Sequence, residues 1–134
     1  MYLLDTNIIS YWMRGDPVTI AWIKARSPSD LSLCAVTLAE IWYGIEKSPV
    51  KKKERRAKIE KIASVLKVYP FDETAAASYA IVRTQLERKG MGISERDTQI
   101  AAIAMANRLT VVTRNVREFR RIEKLRVEDG GEKF

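Results

Sequence analysis

The stretch Met1-Tyr2-Leu3-Leu4-Asp5-Thr6-Asn7 decides how the rest of the chain is interpreted. A short apolar run bounded by turn-forming residues predicts a buried parallel strand. Asp5 then lies at the carboxyl end of that strand, where open α/β sheets place their sites. Asn7 is predicted to cap a helix that begins at Ile8. Asp5 is either the first ligand of a metal site or a residue that only caps or turns the chain.

Strand-like and helical patterns alternate along the rest of the chain. Further strands are predicted at 31–35, 68–69, 109–113 and 126–127, and helices at 8–13, 19–26, 37–45, 50–66, 73–89, 95–107 and 116–119. This alternation predicts one α/β domain over residues 1–134, with a mostly parallel central sheet flanked by helices on both faces. The polar segment 128–134 is predicted to be a loose tail.

Composition limits the chemistry that the chain can perform. The 134 residues include no histidine and one cysteine, Cys34, which excludes Ser-His-Asp and Cys-His catalysis, His-based zinc sites and internal disulfides. Any catalysis must therefore come from carboxylates, lysines or a bound ion. The net charge of +7 favours a polyanionic partner, nucleic acid first. No segment has the length of a membrane span or the pattern of a leader, so we expect a cytoplasmic protein with no membrane partner.

Four acids lie at junctions between predicted strands and helices: Asp5, Glu40, Asp97 and Glu118. Such junctions gather along one edge of a doubly wound sheet. Carboxylates placed so close repel one another unless a cation is bound, and Mg²⁺ prefers oxygen ligands. The alternative is structural, because Glu40 with Thr37, and Asp97 with Ser94, also read as capping boxes at helix starts.

Four segments, in order, resemble the motifs of PIN-domain ribonucleases. They are Leu3-Leu4-Asp5-Thr6-Asn7, then Val36-Thr37-Leu38-Ala39-Glu40-Ile41-Trp42-Tyr43-Gly44, then Asp97-Thr98-Gln99-Ile100-Ala101-Ala102, and last Val112-Thr113-Arg114-Asn115-Val116-Arg117-Glu118-Phe119 with Leu125-Arg126-Val127-Glu128-Asp129. In this order and at this length, the set is similar to the VapC toxins of bacterial type II toxin–antitoxin systems. The likeness covers nearly the whole chain.

The resemblance implies an α/β/α PIN fold and an endoribonuclease that depends on Mg²⁺ or Mn²⁺. Asp5, Glu40 and Asp97 match the metal-binding acids of the family. The fourth catalytic position falls to Glu118, although some relatives carry Asp where this chain has Asn115. The supporting polar groups are Thr6, Thr113 and Asn115. Gly130 stands where many relatives have Trp.

The resemblance also implies partners. The substrate is RNA, with transfer RNA, including initiator transfer RNA, as the leading class, and its cleavage inhibits translation. A VapB antitoxin neutralises the toxin, and we expect a homodimer and a larger toxin–antitoxin complex. Candidates for the antitoxin groove are Trp12 and Trp22. Candidates for holding the RNA backbone are Arg114, Arg117, Arg120 and Arg121.

Two points stay open from the sequence alone. The basic run at residues 51–56 is either a solvated helix face or a phosphate contact. The alternative to the nuclease is a PIN-like module that binds RNA without cutting it, for which Asn115 in the fourth position is the hint.

Overall fold

The structure, a computed structural model, describes residues 1–131 of the chain. Its five strands are β1 (Tyr2–Leu4), β2 (Leu31–Cys34), β3 (Lys67–Tyr69), β4 (Thr110–Thr113) and β5 (Val127–Asp129). The α-helices in this range are α1 (Thr6–Met13), α2 (Pro17–Lys24), α3 (Ala35–Lys47), α4 (Lys52–Val65), α5 (Glu73–Lys89), α6 (Glu95–Ala106) and α7 (Val116–Phe119), and a short 3-10 helix lies at Pro28–Asp30. None of the helices in residues 1–131 has the length and apolar character that crossing a membrane requires.

The strands form one parallel sheet in the order β3-β2-β1-β4-β5. The chain leaves β1 toward β2 and β3 on one side, then returns to place β4 on the other side of β1. This reversal opens a crevice beyond the carboxyl ends of the central strands. The predicted parallel α/β architecture is confirmed, and its switch point lies beside Asp5.

The sheet separates two hydrophobic cores. Leu3 and Val111 face the core that α5, α6 and α7 cover, whereas Leu4 and Val112 face the core that α1 to α4 cover. Successive strand residues therefore enter opposite cores, which is why the strands read as continuous apolar runs rather than as alternating patterns. Both cores are anchored on β1 and β4, so packing from both sides fixes the crevice between them.

Four helix starts differ from the sequence prediction by two residues each: α1, α2 and α3 begin earlier and α4 begins later, and the starts of α1 and α3 bear on the site. α1 begins at Thr6 and its cap is Asp5, whose Oδ1 accepts a hydrogen bond from the Ile8 backbone N–H at 2.9 Å. Asn7 therefore lies inside the helix and does not cap it. α3 begins at Ala35, directly after β2, which places Glu40 in the second turn and gives no capping role to Thr37. Both helices start earlier than predicted because the strands before them end without a loop.

The prediction of a loose tail from Glu128 is wrong for its first residues. Glu128 and Asp129 belong to β5, which pairs in parallel with β4. The Gly130 backbone N–H donates to the Thr113 carbonyl at 3.0 Å. A Cβ on Gly130 would lie 2.7 Å from Ile8 Cδ1 and 2.8 Å from Val112 Cγ1, so close packing requires glycine here. Residues 132–134 of the predicted tail lie outside the described residues.

The basic run at residues 51–56 serves the hairpin between α3 and α4. Arg55 Nη2 donates to the carbonyls of Gly44, Ile45 and Ser48 at the end of α3. Lys52 and Arg56 both pair with Glu46. Positive charges at the start of α4 are unfavourable to the dipole of that helix. Here they instead stabilise the negative carboxyl-terminal end of α3. Neither interpretation of this run from the sequence included a role at the end of the preceding helix.

Candidate active site

A cavity of about 430 Å³ lies beyond the carboxyl ends of the central strands. It is lined by residues from the starts of α1, α3 and α6: Asp5, Thr6, Asn7, Glu40, Ser94, Glu95, Arg96 and Asp97. Three of the four acids predicted from the sequence are therefore brought together at one cavity. Segments as distant along the chain as Asp5 and Asp97 meet here because β1 is the strand at which the sheet reverses its order.

Asp5 is the most deeply buried carboxylate of the cavity, with 2% of its surface exposed. Burial raises its pKa from 3.8 to about 6, and the charges of Asp97 and Glu40 add to that rise. Hydrogen bonds from the Thr113 hydroxyl and the Ile8 backbone N–H act in the opposite direction. Asp5 therefore caps α1 and lines the site at the same time, so its two predicted roles are not alternatives.

Glu40 is held in place by a chain of hydroxyl groups. Thr6 Oγ1 donates to Glu40 Oε1 at 2.7 Å and lies 3.1 Å from Thr37 Oγ1. Because the single Thr6 proton goes to Glu40, Thr37 donates to Thr6. Cys34 Sγ lies 3.7 Å from Thr37 Oγ1, and burial raises the pKa of the Cys34 thiol, which keeps it protonated and able to donate. The chain runs from Cys34 through both threonines to the carboxylate.

Asp97 combines a structural and an electrostatic role at the start of α6. Its backbone N–H donates to Ser94 Oγ at 3.2 Å, so the predicted cap at Ser94 is confirmed. Burial raises the pKa of the Asp97 carboxyl, and the charges of Glu40 and Glu118 raise it further. The same carboxylate therefore lies within the electrostatic reach of the three other candidate acids.

The fourth candidate position lies just outside the cavity. Asn115 Nδ2 donates to Glu118 Oε2 at 2.9 Å, and the Asn115 backbone N–H donates to Thr113 Oγ1 at 2.8 Å. Neither Asn115 nor Glu118 lines the cavity itself. The two side chains form a pair beside Asp97, with Asn115 orienting Glu118 and Thr113 orienting Asn115.

The donor set fits a hard divalent cation in type and charge. Carboxylate oxygens are the ligands that Mg²⁺ prefers, and mutual repulsion among Asp5, Glu40 and Asp97 is the electrostatic condition that a cation relieves. Within residues 1–131, however, no three of these acids lie close enough together to share one ion. The carboxylates have to approach one another before they can hold a cation jointly, and Asp5 is the most buried of them.

Five residues that line the cavity or orient its acids were not predicted as site residues: Asn7, Ser94, Glu95, Arg96 and Thr37. Thr37 was interpreted as a helix cap, because the pattern Thr-x-x-Glu is the same for a cap and for this hydroxyl chain. Arg96 was not singled out, although a cation in the first turn of a helix opposes the helix dipole and so signals another role. Its Nη1 lies 3.4 Å from Glu40 Oε2.

The four arginines proposed for RNA contact separate into two groups. Arg114 donates to Asp16 and to Thr19 Oγ1, and its guanidinium lies 3.9 Å from the centre of the Tyr11 ring, so it is committed to an internal network. Arg121 donates to the Gly92 carbonyl. Arg117 and Arg120 are exposed and have no ion pair within residues 1–131.

The two tryptophans proposed for the antitoxin groove also differ. Trp22 is 3% exposed and packs in the core, edge-on to Tyr2 and covered by the Arg26 guanidinium at 3.5 Å, so it lines no groove. Trp12 lines an open groove of about 530 Å³ between α1 and α4. Only Trp12 remains a candidate.

Comparisons with known proteins agree with this fold and site. The chain matches the PIN domain family over residues 2–125. It is 34% identical to ribonuclease VapC2 of Rickettsia felis, over 96% of this chain and 97% of that protein. It is also 34% identical to the tRNA(fMet)-specific endonuclease VapC of Shigella flexneri, over 96% of each. A crystal structure of VapBC2 from Rickettsia felis bound to a promoter DNA fragment superposes with a TM-score of 0.87 at 32% identity, covering 96% of this chain and 97% of that one.

These matches identify the class of protein that the sheet and the acid-lined cavity define. The chain belongs to the PIN domain family and, within it, to the VapC ribonucleases. The resemblance drawn from the ordered motifs of the sequence is therefore confirmed.

Proposed function

We propose that the chain is the toxin of a type II toxin–antitoxin pair and acts as a Mg²⁺-dependent endoribonuclease on transfer RNA. The observation that carries the proposal is the meeting of Asp5, Glu40 and Asp97 at one cavity, where burial and mutual repulsion raise the pKa of two of them. The relatives support the RNA substrate, since one is named a ribonuclease and another a tRNA(fMet)-specific endonuclease. Cleavage of transfer RNA would stop translation.

Each residue of the site has its own role in phosphodiester hydrolysis. Asp5, Glu40 and Asp97 would hold Mg²⁺, or Mn²⁺ in its place. When bound, the ion lowers the pKa of a water and stabilises the charge that develops on the phosphate oxygens. Thr6 and Thr37 orient Glu40 through their hydroxyls. Glu118, oriented by Asn115, adds negative charge beside Asp97. Arg117 and Arg120, both exposed beside this pair, are placed to contact the RNA backbone.

Cleavage of labelled total transfer RNA tests the enzymatic proposal. We expect cleavage with Mg²⁺ or Mn²⁺, none with EDTA, and a loss of at least about 100-fold in Asp5→Asn and in Asp97→Asn, because each removes a charge on which the cation depends. Asp30→Asn is the matched control, since Asp30 is exposed and remote from the cavity lining. Undiminished cleavage under chelation would remove the metal from the mechanism. Tight RNA binding with no turnover would instead favour a non-cleaving module.

Sequencing of cleaved RNA ends after induction in cells tests the substrate class. We expect new ends in transfer RNA, with the Asp5→Asn variant as the background. Ends confined to messenger or ribosomal RNA would retain the nuclease and reject transfer RNA as its substrate.

A VapB-type antitoxin is the proposed protein partner. The groove between α1 and α4 supports it, because Trp12, Ile62 and Val65 give it an apolar floor and Lys58 and Lys61 a basic rim. Neighbours in the structural comparison are VapBC complexes. We expect Trp12→Ala to weaken co-purification with the antitoxin, while cleavage of RNA by the isolated toxin persists. Equal co-purification of Trp12→Ala and the wild type would exclude this groove.

A homodimer completes the proposed assembly. Exposed apolar side chains on α3 and α5 support it: Trp42, Tyr43 and Ile81 are 48%, 60% and 71% exposed. Light scattering coupled to size-exclusion chromatography should give twice the chain mass. A monomer at all concentrations would contradict the homodimer without touching the enzymatic proposal.

A further inference from the structure

Arg96 is the only cation among the residues that line the cavity in the described part of the chain. Its Nη1 lies 3.4 Å from Glu40 Oε2, while Thr6 occupies the other oxygen of the same carboxylate. The two partners differ in accessibility, since the side chain of Arg96 is 63% exposed and that of Glu40 is 21% exposed. The guanidinium therefore approaches the acids from the solvent side and can leave without unfolding anything.

Helix stability does not explain a cation at this position. Arg96 lies in the first turn of α6, where the helix dipole favours negative charge and disfavours positive charge. An exposed ion pair at 3.4 Å contributes little to the stability of the fold. What Arg96 does provide is the one positive charge among the lining residues of a cavity with four acids, which otherwise repel both one another and an approaching phosphate.

We propose that Arg96 is a phosphate-binding residue of the active site that exchanges partners. In the free protein its guanidinium neutralises Glu40. When the RNA binds and Glu40 takes another partner, the same guanidinium donates to a phosphate oxygen of the RNA next to the bond that is cut. This inference rests on the proposed function, and it adds a substrate contact that none of the predicted RNA-binding arginines supplies.

The exchange requires only a rotation of the side chain. A guanidinium presents five N–H donors in a planar fork, which suits a carboxylate and a phosphate equally well. Glu40 does not lose its position when Arg96 leaves, because Thr6 Oγ1 still donates to Oε1 at 2.7 Å. Release of Arg96 therefore frees Oε2 for a cation and frees the guanidinium for the substrate in the same movement.

A double-mutant cycle on RNA binding tests the exchange in EDTA, where the readout is affinity rather than turnover. The affinities of wild type, Glu40→Gln, Arg96→Gln and the double variant for labelled total transfer RNA are compared. Glu40→Gln removes one negative charge and also releases Arg96. We expect its gain in affinity to be about two- to fivefold larger with Arg96 present than in the Arg96→Gln background.

Two further variants separate this exchange from general charge effects. Glu95→Gln is the matched control, because Glu95 lines the same cavity and neighbours Arg96 in sequence but pairs with Arg83. Its gain in affinity should be the same in both backgrounds. Within the Glu40→Gln background, Arg96→Gln should reduce the slope of log affinity against log salt by about 0.7, while Arg96→Lys should retain it.

Equal gains from Glu40→Gln in both backgrounds would overturn the exchange, as would an unchanged salt slope. If the wild type still cleaves RNA with Mg²⁺ in that case, only the role of Arg96 is lost. If the wild type neither binds nor cleaves RNA, the proposed function and this inference are lost together.

Discussion

At the scale of a single residue, the burial of Asp5 forms the site but lowers the stability of the fold. Its carboxylate caps α1 and is almost completely buried beside other acids. Its pKa rises from 3.8 to about 6, so the folded state binds the proton more tightly than the unfolded state does. The wild-type fold therefore loses stability as the pH rises from near 4 to about 6, and it carries the full cost of the buried charge above that range.

The substitution Asp5→Asn should stabilise the metal-free protein by about 1–3 kcal/mol near neutral pH, although we expect it to reduce cleavage at least about 100-fold. Asparagine still accepts the hydrogen bond from the Ile8 backbone N–H, but it carries no buried charge. Urea unfolding in EDTA measures the difference. Asp72→Asn is the control, because Asp72 caps α5 in the same way, accepting from the Ala75 N–H at 3.0 Å, but is exposed. A loss of stability in Asp5→Asn equal to that in Asp72→Asn would contradict the prediction.

Thr6 tests whether the hydroxyl chain positions Glu40. Thr6→Val keeps the shape of the side chain and removes the hydroxyl that donates to Glu40 Oε1. We expect the cleavage rate to fall about tenfold or more, since hydrogen bonds to charged groups contribute about 1.5–3 kcal/mol. Thr6→Ser restores the hydroxyl and should restore most of the rate. Equal rates for the valine and serine variants would show that the hydroxyl does not matter.

At the scale of elements, the existence of each strand and each α-helix could be predicted from the sequence, but some helix boundaries could not. Leu31–Cys34 and Thr110–Thr113 are short runs of apolar and β-branched residues, interrupted only by Ser32, because both faces of the sheet are covered, and such runs are visible in a sequence. The start of α3 was missed because Thr37 and Glu40 imitate a capping box, whereas the helix follows β2 directly. Local patterns cannot separate a cap from a hydroxyl that bonds a residue on another helix.

The hairpin of α3 and α4 illustrates the same limit. The basic run at residues 51–56 reads as a charged surface, yet Arg55 satisfies three carbonyls at the end of the preceding helix. Helix ends leave carbonyls without intrahelical partners, and a side chain from the next helix can satisfy them. Only the packing of the two helices against each other reveals this role, because the contacts span 7 to 11 residues.

We therefore expect Arg55→Gln to destabilise the protein by about 1–3 kcal/mol, because carbonyls at the end of α3 lose a charged donor. Lys53→Gln is the matched control, since Lys53 is exposed on the same helical turn and its substitution should change the free energy of unfolding by less than about 0.5 kcal/mol. Urea unfolding of both variants measures the effect. If both substitutions have the same effect, the run is a solvated surface after all.

At the scale of the whole molecule, two arginines join the beginning of the chain to its end. Arg114, in the loop after β4, reaches Asp16 and Thr19 at the start of α2, 98 and 95 residues away in sequence. Arg26 covers Trp22 and lies 3.6 Å from Glu128 on β5. Such pairs could not be predicted, because each arginine reads as one more surface cation until the fold brings its partner near. The contacts of Arg114 fix the loop that carries Asn115, directly after Thr113 at the end of β4.

The pair of Asp16 and Arg114 gives a prediction about pH. The pKa of Asp16 lies below its ordinary value of 3.8, first because the Thr19 backbone N–H donates to it, with further contributions from the Thr19 and Arg114 side chains. The ionised carboxylate therefore stabilises the fold at pH values above about 4, and this contribution disappears as the pH falls through the lowered pKa. Asp16→Asn keeps a cap for α2 but loses the attraction to Arg114.

Asp16→Asn should accordingly be less stable than the wild type near neutral pH, and the difference should shrink as the pH falls below about 4. Urea midpoints at several pH values measure the difference between the two proteins. Asp30→Asn, an exposed acid with no ion pair among residues 1–131, should show no such pH-dependent difference. A constant difference between Asp16→Asn and the wild type at all pH values would mean that shape, rather than charge, joins the start of α2 to the loop after β4.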